Sequence, residues 1–226
     1  MKKILTTLLL AASSVCHAQA GITVGTATSA NCYPFGCFGD SEGTRYQQVF
    51  SAAAFSGPIT INNISWYTSN RYGAGKFESA SYTVSLSTTG KTVNHLDENN
   101  LDNNLGSNQQ FFGNYTLSGY AQPVLTFSGK AFNYDPTQGN LLLDIRFYGL
   151  TALAPKSAFM ESTFRDPYTS RAYTMSQGTM QDNSGLVTTF NLLPVPEPAN
   201  YAMLMAGLGL LVVARRRQFS AHSRAI

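Results

Sequence analysis

Tyr82-Thr83-Val84-Ser85-Leu86-Ser87 alternates apolar and hydroxyl side chains without a break. In an extended chain successive side chains point to opposite faces, so Tyr82, Val84 and Leu86 share one face and the hydroxyls the other, the pattern of a half-buried strand. The same period recurs outward from this run, over 48–51, 59–67, 111–117, 124–127, 141–148 and 186–191, whereas no helix-length amphipathic pattern occurs between Gly21 and Leu193. The runs are separated by Ser56-Gly57-Pro58, Thr89-Gly90-Lys91, Ser128-Gly129-Lys130, Gln138-Gly139-Asn140 and Asn183-Ser184-Gly185, all with turn chemistry. About seven or eight strands in residues 21–193 predict an all-β body, a β-sandwich of jelly-roll type. No fixed period repeats, which disfavours a propeller or solenoid. Along 141–147, Leu141, Leu143, Ile145 and Phe147 are assigned to the core. Leu142, Asp144 and Arg146 fall on the opposite face, where Asp144 and Arg146 read as an outer-face ion pair.

The charges argue against a nucleic-acid partner. The chain of 226 residues has 15 Lys and Arg against 12 Asp and Glu, a net charge of +3. Lys2, Lys3, Arg215, Arg216, Arg217 and Arg224 supply six of the basic residues, so residues 21–193 hold nine basic against eleven acidic groups, or −2. Neutralising phosphates takes a basic surplus that this body lacks. Only 12% of residues are charged, a composition that suits an exported all-β protein better than a cytosolic enzyme.

Residues that would carry catalysis are sparse, and the body reads as non-enzymatic. His95 is the only histidine in 21–193, set in a polar stretch away from a nucleophile, and no Gly-x-Ser-x-Gly elbow occurs. Asp135, Asp144, Glu161 and Asp166 are carboxylates of the kind glycosidases use, but nothing in their spacing singles out a pair. Cys32 and Cys37 are separated by four residues, not the two of a redox motif, and no further zinc ligands accompany them. A disulfide that staples Tyr33-Pro34-Phe35-Gly36 into a loop is expected. Asp97-Glu98-Asn99-Asn100-Leu101-Asp102-Asn103-Asn104-Leu105-Gly106 gathers oxygen ligands off the EF-hand spacing and reads as a solvated loop, with a calcium site as the alternative; no other cofactor or metal is expected. Trp66, Tyr67, Asn70, Arg71 and Tyr72 combine rings that stack on pyranose C–H groups with polar groups that bind hydroxyls. This makes a sugar platform, although Trp66 also continues the core pattern from Ile64. Thr23, Thr26 and Thr28 have no continuing period, so a regular hydroxyl array for ice is not read there.

Both ends carry targeting patterns. Lys2-Lys3, an apolar stretch from Ile4 to Ala12 and the small-residue end Ala18-Gln19-Ala20 have the layout of a signal peptide over 1–20, with Cys16 lost on cleavage. Val195-Pro196-Glu197-Pro198 in the linker 194–198 leads into an uncharged run over 199–214 and then Arg215-Arg216-Arg217, which open a basic tail over 215–226. Sixteen residues at ~1.5 Å rise give a helix of roughly 24 Å, short of a ~30 Å hydrocarbon core but able to span with snorkelling arginines. A single transmembrane helix is expected, with the arginines cytoplasmic as a membrane stop and the body outside. The prolines hold Val195 and Glu197 extended, as a protease substrate or a rigid linker requires.

Pro196-Glu197-Pro198, an apolar helix containing Ala206-Gly207-Leu208-Gly209-Leu210 and a closing arginine cluster resemble the PEP-CTERM sorting signal of Gram-negative bacteria. The resemblance implies export by the general secretion machinery and retention in the inner membrane with a periplasmic body. It also implies processing near the Pro-Glu-Pro by an exosortase, a membrane-embedded cysteine transpeptidase or protease, and delivery to the cell surface or extracellular matrix. The segments 132–136, 139–144 and 45–50 are similar to stretches in the bodies of other proteins with this tail. The expected function is that of a non-catalytic surface or matrix protein associated with biofilm exopolysaccharide; a lectin-like carbohydrate-binding module, or a glycosidase, is the alternative.

Overall fold

Strand alternation in the sequence becomes thirteen strands among the residues that the computed structural model describes, namely 21–37, 44–152, 155–175 and 178–192. In chain order these are β1 (Ile22–Val24), β2 (Ser29–Asn31), β3 (Thr44–Phe50), β4 (Ile59–Tyr67), β5 (Ser79–Thr89), β6 (Gln110–Leu117), β7 (Val124–Tyr134), β8 (Asn140–Ala152), β9 (Met160–Phe164), β10 (Thr169–Met175), β11 (Gly178–Asp182), β12 (Ser184–Leu186) and β13 (Thr188–Leu192). Helix is limited, among the described residues, to short 3-10 turns. The fold is all-β, and the described residues lie in one compact unit, Gln19–Leu193.

The strands form three antiparallel sheets, ordered β1-β13-β4-β7, β11-β10-β3-β8-β5-β6 and β12-β9-β2. β8 lies between β3 and β5, where Val84 pairs with Ile145 and Tyr46 with the same residue from the other side. Tyr82, Val84 and Leu86 face one core together with Leu141, Leu143, Ile145 and Phe147, as their period of two requires. The four-stranded sheet adds Ile61, Ile64, Trp66, Phe127 and Phe190 to that core. Tyr115 of β6 stacks on Phe127 of β7 with ring centroids 3.9 Å apart, which ties the edge strands of the two larger sheets.

The opposite face of the six-stranded sheet is also covered. Leu96 and Leu101, from the connection between β5 and β6, bury themselves with Val49, Leu142 and Ala172 in a second apolar cluster. The expected solvated loop is therefore a lid on the sheet. The expected Asp144–Arg146 pair forms, with Arg146 Nε 3.5 Å from Asp144 Oδ2, but its outer-face placement is corrected: beneath the lid Asp144 is only 3% exposed. The main partner is Arg45, whose Nε and Nη2 donate to the two carboxylate oxygens at 2.6 and 3.2 Å. Gln47 Nε2 donates to Asp144 Oδ1 and to the Leu101 carbonyl, and Asn104 Nδ2 donates to Gln47 Oε1. A carboxylate taken out of water needs such a set of donors.

Two segments with turn or single-strand patterns adopt other structures. Ser128-Gly129-Lys130 is a bulge inside β7, not a turn: the β4–β7 register shifts between Ile61 and Asn63, and the chain stays extended. A Cβ on Gly129 would collide with the Phe112 ring, so glycine is required by the close approach of β6 and not by reversal. The run 186–191 is split at Val187, β12 pairing with β9 and β13 with β4. The signal segment 1–20, Pro196-Glu197-Pro198, the apolar run 199–214 and Arg215-Arg216-Arg217 lie outside the described residues. Among the described residues no helix is long and apolar enough to cross a membrane.

Candidate functional site

The amino-terminal segment is pinned where the spacing predicts. Cys32 and Cys37 are joined in a disulfide, and the loop they close inserts Phe35 among Trp66, Phe77, Tyr82 and Phe127, at centroid distances of 5.1 to 6.4 Å. That contact decides the fate of the expected sugar platform. Trp66 is 0% exposed, because the alternation running through Ile64 and Trp66 turns both toward the core. Tyr67 faces the other way, half-buried, with its hydroxyl 2.7 Å from that of Thr189. Asn70, Arg71 and Tyr72 follow on an exposed turn. The structure therefore groups Asn70, Arg71 and Tyr72 at the surface and removes Trp66 from their company.

Tyr72 is 55% exposed and its ring rests on Phe159, centroids 4.4 Å apart. Ser69 N donates to the Phe159 carbonyl, which fixes the turn against the segment before β9. Three chain segments meet here at the same end of the larger sheets. Lys76 N donates to the Lys156 carbonyl at 2.9 Å, Ala158 N to the Lys76 carbonyl at 2.8 Å, and Ala121 N to the Gly75 carbonyl at 3.0 Å. Tyr120, 66% exposed, lies under the Lys76 ammonium at 4.7 Å from its ring centroid. Lys76, Tyr120, Lys156 and Phe159 are absent from the sequence reading, since they come from three separated segments with no shared spacing.

The acidic residues serve other ends. Asp135 accepts from Thr137 N at 2.9 Å and caps a 3-10 turn; Asp166 accepts from Tyr168 N at 2.8 Å; Asp144 is held by Arg45; Glu161 is half-buried on β9. Asp97 accepts from Asn99 N, Asn100 N and Asn103 Nδ2, so its oxygens brace the lid. The Asn103 amide first, then these backbone donors, hold its carboxyl below the usual range. Asp102 is likewise lowered by the Arg45 guanidinium, which donates to Oδ1 at 2.7 Å. His95 Nδ1 lies 3.0 Å from the Val93 carbonyl and 3.2 Å from the Thr92 hydroxyl, a local turn contact. Among the described residues no group of three or more His, Cys, Asp or Glu side chains is placed to hold a metal ion.

Past the last strand, the family model of the PEP-CTERM protein-sorting motif matches residues 194–218. The chain carries a PEP-CTERM sorting motif. The matched interval takes in Pro196-Glu197-Pro198, the apolar run and Arg215-Arg216-Arg217. A PEP-CTERM motif supports an exported protein that is sorted through exosortase machinery. Comparison with curated proteins gives no match.

Proposed function

We propose that this PEP-CTERM chain is a non-catalytic protein of the cell surface or extracellular matrix. Its body is a jelly-roll-like β-sandwich associated with exopolysaccharide, held at the inner membrane by the 199–214 helix until exosortase acts. The match over 194–218 carries this reading. The common core beneath the four- and six-stranded sheets supports the sandwich, and a disulfide that closes the amino-terminal loop suits an oxidising compartment. The decisive test is the intact mass of the mature protein from cells with and without an exosortase. Loss of the segment beyond the Pro-Glu-Pro only where the exosortase is present is the expected result. Retention of Arg217 in both samples would overturn the sorting role.

A second reading, that the body binds carbohydrate, is favoured by the exposed ring of Tyr72 beside Arg71. An aromatic face left in water at a rigid position suits stacking on a pyranose.

A further inference from the structure

We infer that the end of the body built from residues 68–77, 118–124 and 155–160 binds a linear anionic polysaccharide, one whose sugars carry carboxylates. This deepens the carbohydrate-binding reading and rests on it. The first observation is electrostatic. The body as a whole is slightly acidic, yet these three segments contain Arg71, Lys76 and Lys156 and no Asp or Glu; the adjoining Glu78 is buried, its carboxylate accepting from the Ser157 hydroxyl at 3.1 Å. Elsewhere the strand arginines are neutralised: Arg45 and Arg146 by Asp102 and Asp144, and Arg171 by Asp182. None of the three cations at this end forms an ion pair with a carboxylate among the described residues. Lys91, Lys130 and Arg165 are also outside these ion pairs but lie singly in other segments, whereas three cations without a carboxylate partner share this end of a body of opposite net sign, which favours an anion there.

A cation also lies close to each of the two exposed rings, over the face of Tyr120 and at the turn that carries Tyr72. Lys76 Nζ sits over Tyr120, and Lys156 Nζ reaches the turn beside Tyr72, where a Cβ on Gly73 would approach it to 3.3 Å. Gly73 has φ +69°, a conformation that glycine adopts without strain, and its missing side chain leaves room for that ammonium. Tyr120 and Tyr72 are among the most exposed large rings described, and Tyr72 is held by Phe159. A uronate sugar presents an apolar C–H face and a carboxylate on the same ring. It therefore matches one aromatic face with one adjacent cation. Tyr120 with Lys76 is one such unit; Tyr72, with Lys156 reaching its turn, offers a second ring and cation, and backbone hydrogen bonds join Lys76 to the 156–158 segment. A polymer that repeats its carboxylate fits a site that repeats its ring and cation. A neutral glycan would leave the ammonium groups without a partner, and a nucleic acid would need a larger basic surface than three cations.

The test is affinity gel electrophoresis of the purified mature protein in native gels containing polygalacturonate, dextran or double-stranded DNA. Retardation by polygalacturonate alone is expected, weakening as salt is raised. Replacing both lysines (Lys76→Gln with Lys156→Gln) should weaken apparent affinity about fivefold, the sum of two partly exposed charge contacts. Tyr120→Ala should weaken it about threefold, while Lys130→Gln, on exposed β7, should leave it unchanged. Matching melting temperatures establish that the variants are folded. Equal retardation by dextran, comparable retardation by DNA, no retardation by any polymer, or indifference to the lysine and tyrosine substitutions would each overturn the inference. Because the gel is run on purified protein, its outcome is independent of whether the tail is processed, and the mass measurement fails or succeeds separately.

Discussion

Gln48 → Leu is the substitution that tests the polar design of the core most directly. Gln48 is fully buried on β3, and its carboxamide replaces a strand neighbour for Leu186: Oε1 accepts from Leu186 N at 3.0 Å while Nε2 donates to the Leu186 carbonyl at 2.9 Å. Oε1 also accepts from the Tyr46 hydroxyl at 2.6 Å, and Nε2 also donates to Thr169 Oγ1 at 2.9 Å. A leucine of similar volume removes all four bonds, but not every partner is orphaned. The Leu186 carbonyl keeps the Thr188 hydroxyl, and the Thr169 hydroxyl keeps the Val49 carbonyl. Two buried donors, Leu186 N–H and Tyr46 O–H, lose their acceptor. At about 1–3 kcal/mol for each orphaned group, offset in part by the added apolar burial, the net loss is about 3 kcal/mol. For a body of this size that lowers the melting temperature by about 6–12 °C. Trp66 is the single tryptophan and is fully buried, so its emission reports unfolding of the core in urea or on heating. A Gln48→Leu protein within about 0.5 kcal/mol of the parent would refute the reasoning, because it would mean that the two donors find other acceptors at no cost.

Two further perturbations follow from the loops. Replacing Cys32 and Cys37 together by serine frees a loop of six residues, and the chain-entropy estimate gives about 2 kcal/mol of destabilisation; urea midpoints under oxidising conditions measure it, and an unchanged midpoint would show that packing of Phe35 alone holds the segment. Asp97 and Asp102 have folded-state pKa values below their unfolded ones, so the stability they contribute is present above the unfolded value of about 3.9 and is lost as pH falls through it toward the folded values. The melting temperature is expected to hold between about pH 5 and 6 and to fall below about pH 4, with a shallower fall in Asp102→Asn and with amide exchange at Leu96 and Leu101 rising first. An identical acid slope in the variant would count against the Arg45–Asp102 contact.

Strands were most legible where one face meets the core and the other meets water. Residues 82–86 show this, as does the later part of β8, where Ile145 and Phe147 are buried and Arg146 and Tyr148 are exposed. Periodicity failed where both faces are covered. In β10 the successive residues Thr169, Ser170, Arg171 and Ala172 are all buried, partly beneath the lid, where Asn94 N donates to the Ser170 hydroxyl. An alternation of polar and apolar residues has no cause in such a strand, so β10 left no period-2 trace. Leu142 was the one sign of the lid in the sequence, an apolar residue on the face that also holds Asp144. Gly129 looks like a turn in the sequence because glycine marks both reversal and close approach, and only the position of Phe112 separates the two.

By itself the sequence determined the all-β class, most of the strand positions, the cysteine loop and the sorting motif, because each of these is written in residues close together along the chain. Tertiary structure decided that Trp66 is core, that Asp144 belongs to Arg45, and that Tyr72, Tyr120, Lys76 and Lys156 share one end of the body. Contacts of this second kind join residues tens of positions apart. They depend on strand order and register, which no local period encodes.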